Sequence, residues 1–255
     1  MKDYITYEFP LNERIRLFMR VEQLFQQIHH FARGNSIWDS RALIGHLLEI
    51  LNLLGRNDLK SEVLKELDRQ ATALTRMAKK GGSDAERIDE ILTGLESTSR
   101  KIYAIPGRVG IELMEDDLIK NIAQRTSIPG GTCSFDLPAF HRWLHLDHSQ
   151  RMKDLDGWLE SLNTVHSAMI QLLNFIRSCS DASIQVAGGG YYQKTLDHNL
   201  PYQLLSVRLD SQFPCYAEIS GGKHRFSVRF MLMEQAGRPA QTTHDIEFQL
   251  NCAIL

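Results

Sequence analysis

The chain has 255 residues, 43% of them hydrophobic and 24% charged, so it can bury a sizeable core as one large domain or two modest ones. Its formal net charge of −2 excludes the broad basic field that drives general nucleic-acid binding, so attraction for an acidic partner must come from local clusters. No apolar run approaches membrane-spanning length, and the four cysteines (Cys133, Cys179, Cys215 and Cys252) include no CxxC pair. Met1-Lys2-Asp3-Tyr4 places acidic and polar residues where a signal peptide would be apolar. The expectation is a cytoplasmic protein with reduced thiols and no membrane partner.

In chain order, the first two-thirds read as helices. Leu11, Ile15, Phe18, Val21, Leu24, Phe25 and Ile28 form an apolar stripe at helical spacing. Asp39 or Ser40 suits the cap of a second helix, through Leu43, Leu47 and Leu51 to a stop at Gly55. Asn57 suits the cap of a third, with Leu59, Val63, Leu67, Ala71 and Leu74 on one face and an end at Gly81-Gly82. Ser83 and Glu86 make a capping box for a fourth, which runs to about Ile105-Pro106-Gly107. A fifth is expected from Ile111 to Arg125. After an Ile128-Pro129-Gly130-Gly131 turn, Asp136 caps a short helix with Pro138 in its first turn. Asp147 and Gln150 resemble a further capping pair, ahead of one long helix or two stacked end to end, carrying Leu155, Leu159, Leu162, Met169, Leu173 and Ile176.

Beyond about Asp181 the period changes to two. Leu205, Val207 and Leu209 mark one half-buried strand; Phe226, Val228, Phe230 and Leu232 a second; Ile246, Phe248, Leu250 and Cys252 a third. Gly221-Gly222 and Gly237-Arg238-Pro239 supply turns, and Gly188-Gly189-Gly190 marks a junction loop or a hairpin tip. Helices first and strands last argue for α+β: an N-terminal helical domain over 1–182 and a smaller antiparallel β domain over 183–255.

No constellation in the chain carries enzymatic chemistry. Cys133 and Ser134 follow a Gly-Gly pair, but there is no G-x-S-x-G elbow and no base poised beside them. Glu115-Asp116-Asp117 reads as a solvated first turn. His141, His145 and His148 have a spacing that zinc uses, yet no Glu lies between the first two, and a packed or surface histidine is the simpler account of each. No catalytic residue, metal or cofactor is expected.

The suggestive pattern is local basic faces in a nearly neutral protein. Arg16, Arg20, Gln23 and Gln27 share a polar ridge on the first helix. Lys223, Arg225 and Arg229 fall on one face of the second strand, with no acidic residue between Glu218 and Glu234. Such a row suits a carboxylate-rich peptide, because guanidinium groups take carboxylates bidentately. An ordinary solvated face accounts for the same residues. A nucleic-acid module built on these cations with Phe226 and Phe230 is the alternative, although in a strict strand the phenylalanines face away from the arginines.

Longer stretches carry a resemblance. Phe9-Pro10-Leu11-Asn12-Glu13, Leu64-Lys65-Glu66-Leu67-Asp68-Arg69-Gln70, the block from Gln124 to Leu146, Leu209-Asp210-Ser211-Gln212, Ile219-Ser220-Gly221 and Arg225-Phe226 through Arg229-Phe230 together resemble the ZapD family of Z-ring-associated proteins. The resemblance implies a helical domain joined to a β domain, a homodimer, and recruitment to the mid-cell division ring. It also implies capture of the acidic and apolar C-terminal tail of the tubulin-like protein FtsZ on a basic surface, so that filaments are cross-linked and bundled. Carried over, the partner-binding positions are Arg16, Arg20, His141, Lys223, Arg225 and Arg229. Asp117 departs from the pattern, since relatives tend to carry a basic residue there.

Overall fold

Residues 3–79, 85–232 and 238–255 are described by the computed structural model; the expected helix end at Gly81-Gly82, the Ser83 cap and the turn residue Gly237 lie outside them. The fold is α+β, with eight helices and antiparallel sheets among the described residues. Two units pack internally: 18–172, and 1–17 together with 173–255.

Residues 18–172 are helical because their apolar side chains recur every three or four positions. On α1 (Glu13–Phe31), Phe18, Val21, Phe25 and Ile28 are at most 2% exposed. Helix α2 (Ile37–Arg56) starts earlier than Asp39 or Ser40 would place it. Ser36 is the cap: its hydroxyl accepts the Asp39 N–H at 3.1 Å, and the Asp39 carboxylate accepts the Ser36 N–H at 3.0 Å. Two otherwise orphaned donors are thereby satisfied reciprocally, while Ser40 is buried inside the helix. Before α3 (Leu59–Lys79), Asp58 rather than Asn57 does the capping, accepting the Ser61 N–H at 3.2 Å. Asn57 instead donates back to the Leu53 carbonyl at 2.9 Å and closes α2.

Helix α4 (Ala85–Ala104) packs along α3. The expected fifth helix is two, α5 (Ile111–Glu115) and α6 (Asp117–Thr126), because Asp116 leaves helical geometry and accepts the Ile119 N–H at 3.0 Å. Helix α7 (Pro138–Leu144) has Pro at its start, but its cap position is Leu137, without a side-chain bond; Asp136 pairs instead with Arg125 at 3.6 Å. Helix α8 (His148–Ser178) is one continuous run of 31 residues. Arg151, buried at its start, donates to the carbonyls of Leu144, Leu146 and Asn35 and ties α7 to the loop ahead of α2.

The other unit is a sandwich of two antiparallel sheets. It begins with a strand at the head of the stretch expected to be helical, β1 (Tyr4–Pro10). Then come β2 (Ser183–Ala187), β3 (Tyr191–Thr195), β4 (Tyr202–Asp210), β5 (Cys215–Gly221), β6 (Arg225–Leu232), β7 (Ala240–Gln241) and β8 (Ile246–Ile254). One sheet runs β1-β4-β8-β2, the other β3-β6-β5, with β7 also pairing β6. Between the sheets lie Leu205, Val207 and Leu209 of β4, Phe226, Val228 and Phe230 of β6, and Phe248 and Leu250 of β8. Alternation therefore fixes which residues of β6 face out: Arg225, Ser227 and Arg229. The glycine run is the tight passage from β2 to β3, where Gly190 has φ +72° and a Cβ would stand 2.6 Å from the Thr242 carbonyl oxygen. On the outer side of the first sheet, Arg177 of α8 forms a bidentate pair with Glu8 of β1, both contacts at 2.8 Å.

Candidate partner-binding site

Four of the six expected site residues lie in the sandwich unit: Arg16, Lys223, Arg225 and Arg229. Strand β6 begins at Arg225, so Lys223 belongs to the β5–β6 turn rather than to the strand. The Gly222 N–H to the Arg225 carbonyl at 3.0 Å closes that turn, and the Leu196 N–H to the His224 carbonyl at 2.8 Å anchors its tip. Lys223, His224, Arg225 and Arg229 are all exposed. Among the described residues, the side chains of Lys223, Arg225 and Arg229 have no ion-pair or hydrogen-bond partner.

Register shows what stands beside each cation. Arg229 lies opposite Tyr191 on β3 and opposite Glu218 on β5. Glu218 is the one acidic residue on this outer face among the described residues, and it offsets Arg229 in part. Arg225 lies opposite Thr195, with the glycine end of β5 on its other side. Lys223, His224 and Arg225, with Tyr191 and Gln193, rim an open depression of about 430 Å³ whose floor is Ser220, Gly221 and Ser227.

Arg16 reaches the same hairpin indirectly. Its guanidinium lies 5.6 Å from the Phe9 ring centre, donates to the Glu13 carboxylate at 3.1 Å and approaches the Pro10 carbonyl at 3.4 Å. Phe9 in turn packs at Gly221, where an added Cβ would stand 3.1 Å from the ring and 3.3 Å from Leu11. The Arg16 side chain is 34% exposed, so its cation remains accessible to solvent.

Arg20 and His141 belong to the helical unit. Arg20 is exposed on α1, one turn beyond Arg16. His141 is exposed on α7; its carbonyl is 2.8 Å from His145 Nδ1, and the two rings are 4.4 Å apart. Among the described residues, no group of three His, Cys, Asp or Glu side chains could hold a metal ion. Phe226 and Phe230 are 1% and 0% exposed, which removes them as stacking platforms for bases. Tyr191 and Gln193 are site residues that periodicity did not reveal, because β3 is short and mostly exposed, with Tyr192 alone packed against the core.

The sequence pattern of the ZapD family, described as a cell division protein, matches residues 19–229. The chain belongs to the ZapD family. It is 46% identical over 255 residues, the whole of both chains, to the cell division protein ZapD of Methylococcus capsulatus. Identity is 36% over 251 residues with that of Aromatoleum aromaticum, covering 98% of each chain. With that of Pectobacterium carotovorum it is 36% over 230 residues, covering 90% of each. These relatives carry the name of a cell division protein rather than of an enzyme. No helix among the described residues is long and apolar enough to cross a membrane.

Proposed function

We propose that the protein is a non-enzymatic adaptor of cell division that binds the C-terminal tail of FtsZ and, as a homodimer, cross-links and bundles FtsZ filaments at the mid-cell ring. Membership of the ZapD family sets the frame. The observation that carries the reading is the basic outer face of β6 and its hairpin: Arg225 and Arg229 on a strand whose other face is core, and Lys223 in the turn that leads into it, are exposed cations without partners among the described residues. The sheet backbone that carries Arg225 and Arg229 is already ordered, so a carboxylate-bearing chain has only the side chains to fix when it binds. Arg16, stacked on Phe9 beside the hairpin, adds a further charge. Arg20 and His141 complete the set carried over from the family resemblance.

Each such contact is exposed, so a single site binds weakly. Two sites on one dimer facing a filament with many tails gain about 10²–10⁴ in avidity without any new contact. The test is co-sedimentation with polymerised FtsZ, using full-length filaments beside filaments without the tail. Pelleting with the tailed filaments alone supports the adaptor; a protein left in the supernatant with both kinds at low salt overturns it. Burial of Phe226 and Phe230 removes the aromatic platform on which the nucleic-acid alternative depended.

A further inference from the structure

We infer that the depression between β3 and the β5–β6 hairpin is a carboxylate pocket, which receives one acidic side chain of the bound tail; this rests on the reading above. The depression exists because of a size contrast across three strands. Ser220, Ser227 and Gln193 stand side by side in register, and Gly221 pairs with Phe226, whose ring points into the core. Small residues thus form the floor, and the longer side chains of Tyr191, Lys223, His224 and Arg225 rise around it.

The chemistry of this lining is that of an anion site. Two hydroxyls, Ser220 and Ser227, are donors at the bottom; Lys223 and Arg225 supply positive charge at the rim; and no lining residue is acidic. Neither serine hydroxyl nor either cation has a partner among the described residues. The tyrosine is placed differently. Its hydroxyl donates to Gln193 Oε1 at 2.6 Å, so the ring lies along β3 and offers a wall for the methylene carbons of an Asp or Glu. A depression of about 430 Å³, open to solvent, has room for such a side chain together with water. The occupant is therefore an extended, acidic peptide segment whose carboxylate enters between the hairpin and β3. Hydroxyls and cations together would orient that carboxylate, whereas cations alone would only attract it.

Ser227 is the residue to change, because it lies on the outer face of β6 and a larger side chain there fills the floor without touching the core. Binding of a labelled FtsZ tail peptide is measured by fluorescence anisotropy for the wild type, Ser227→Leu, Ser220→Leu and Arg225→Ala. Each is also measured against peptides in which one acidic residue at a time is replaced by its amide. The expected result is a loss of roughly tenfold for Ser227→Leu and for one particular amide peptide, with no further loss when the two are combined. Ser220→Leu, on the neighbouring strand, gives the same pattern, and thermal melts of both variants exclude unfolding as the cause. The pocket is refuted if both leucine variants bind like wild type while Arg225→Ala is weakened, or if the leucine and amide losses simply add. Absence of wild-type binding would overturn the tail-binding reading itself, and the pocket with it.

Discussion

At His166 the ring stacks on Phe25 with centroids 3.9 Å apart, and His29 stands 5.5 Å away. Burial, with a smaller push from His29, lowers its pKa from 6.5 to about 4, while Glu22 pulls the other way. The folded state therefore resists protonation that the unfolded chain accepts. Stability from this group is complete above the ordinary histidine value and is lost as pH falls from about 6.5 toward 4. Replacing His166 by Phe should flatten that acid limb in denaturant titrations at a series of pH values; an unchanged limb would contradict the account. The Ser36–Asp39 box makes a second claim of this kind. The Ser36 hydroxyl and N–H hold the Asp39 carboxyl below its usual range, and Ser36→Ala should lower the unfolding midpoint in urea through loss of the cap. The box is legible in Ser36-Ile37-Trp38-Asp39, but the aspartate also reads as a cap in its own right, and only its geometry shows it bonding backward to Ser36.

At the scale of elements, the three cations of the β6 region should not contribute equally. Arg229 faces Glu218 across the ladder, whereas Arg225 and Lys223 lie at the glycine-rich end, free of acidic neighbours on that face. Alanine at Arg225 or Lys223 should weaken tail binding several-fold more than alanine at Arg229, and Glu218→Gln should strengthen it at low salt; equal losses at all three positions would contradict this ordering. Parity in β6 was legible because Phe226, Val228 and Phe230 alternate strictly with polar residues, so the outward face of the arginines followed directly. Of the five strands among the described residues that periodicity did not name, β1 and β3 show two different reasons. Strand β1 does alternate, Ile5, Tyr7 and Phe9 against Thr6 and Glu8, but it is a short edge strand at the head of a stretch that reads as helices, and Ile5 is 45% exposed. Strand β3 is mostly exposed, and only pairing with β6 shows that Tyr191 stands beside Arg229. The break at Asp116 was hidden by a helical apolar pattern that continues through it; the carboxylate caps α6 and also lies 3.3 Å from Trp158 Nε1, a partner 42 positions away.

For the molecule as a whole, an N-terminal segment and a C-terminal stretch build the sandwich together, and Phe9, on which Arg16 stacks, packs at Gly221 of the hairpin. Arg16 and Phe9 come from the first 17 residues, while the hairpin lies more than 200 residues later. No local motif announces such a surface, which is why the separate basic ridges in the sequence did not reveal that Arg16 and the hairpin share a neighbour in Phe9. The central claim is that this face captures an acidic tail. The most direct measurement is a titration of labelled FtsZ tail peptide into the wild type and into a Lys223→Ala/Arg225→Ala double variant at two salt concentrations. The account predicts saturable binding that weakens as salt rises, and a loss of about tenfold or more in the double variant. Binding that is indifferent to salt and equally tight in the double variant would contradict it.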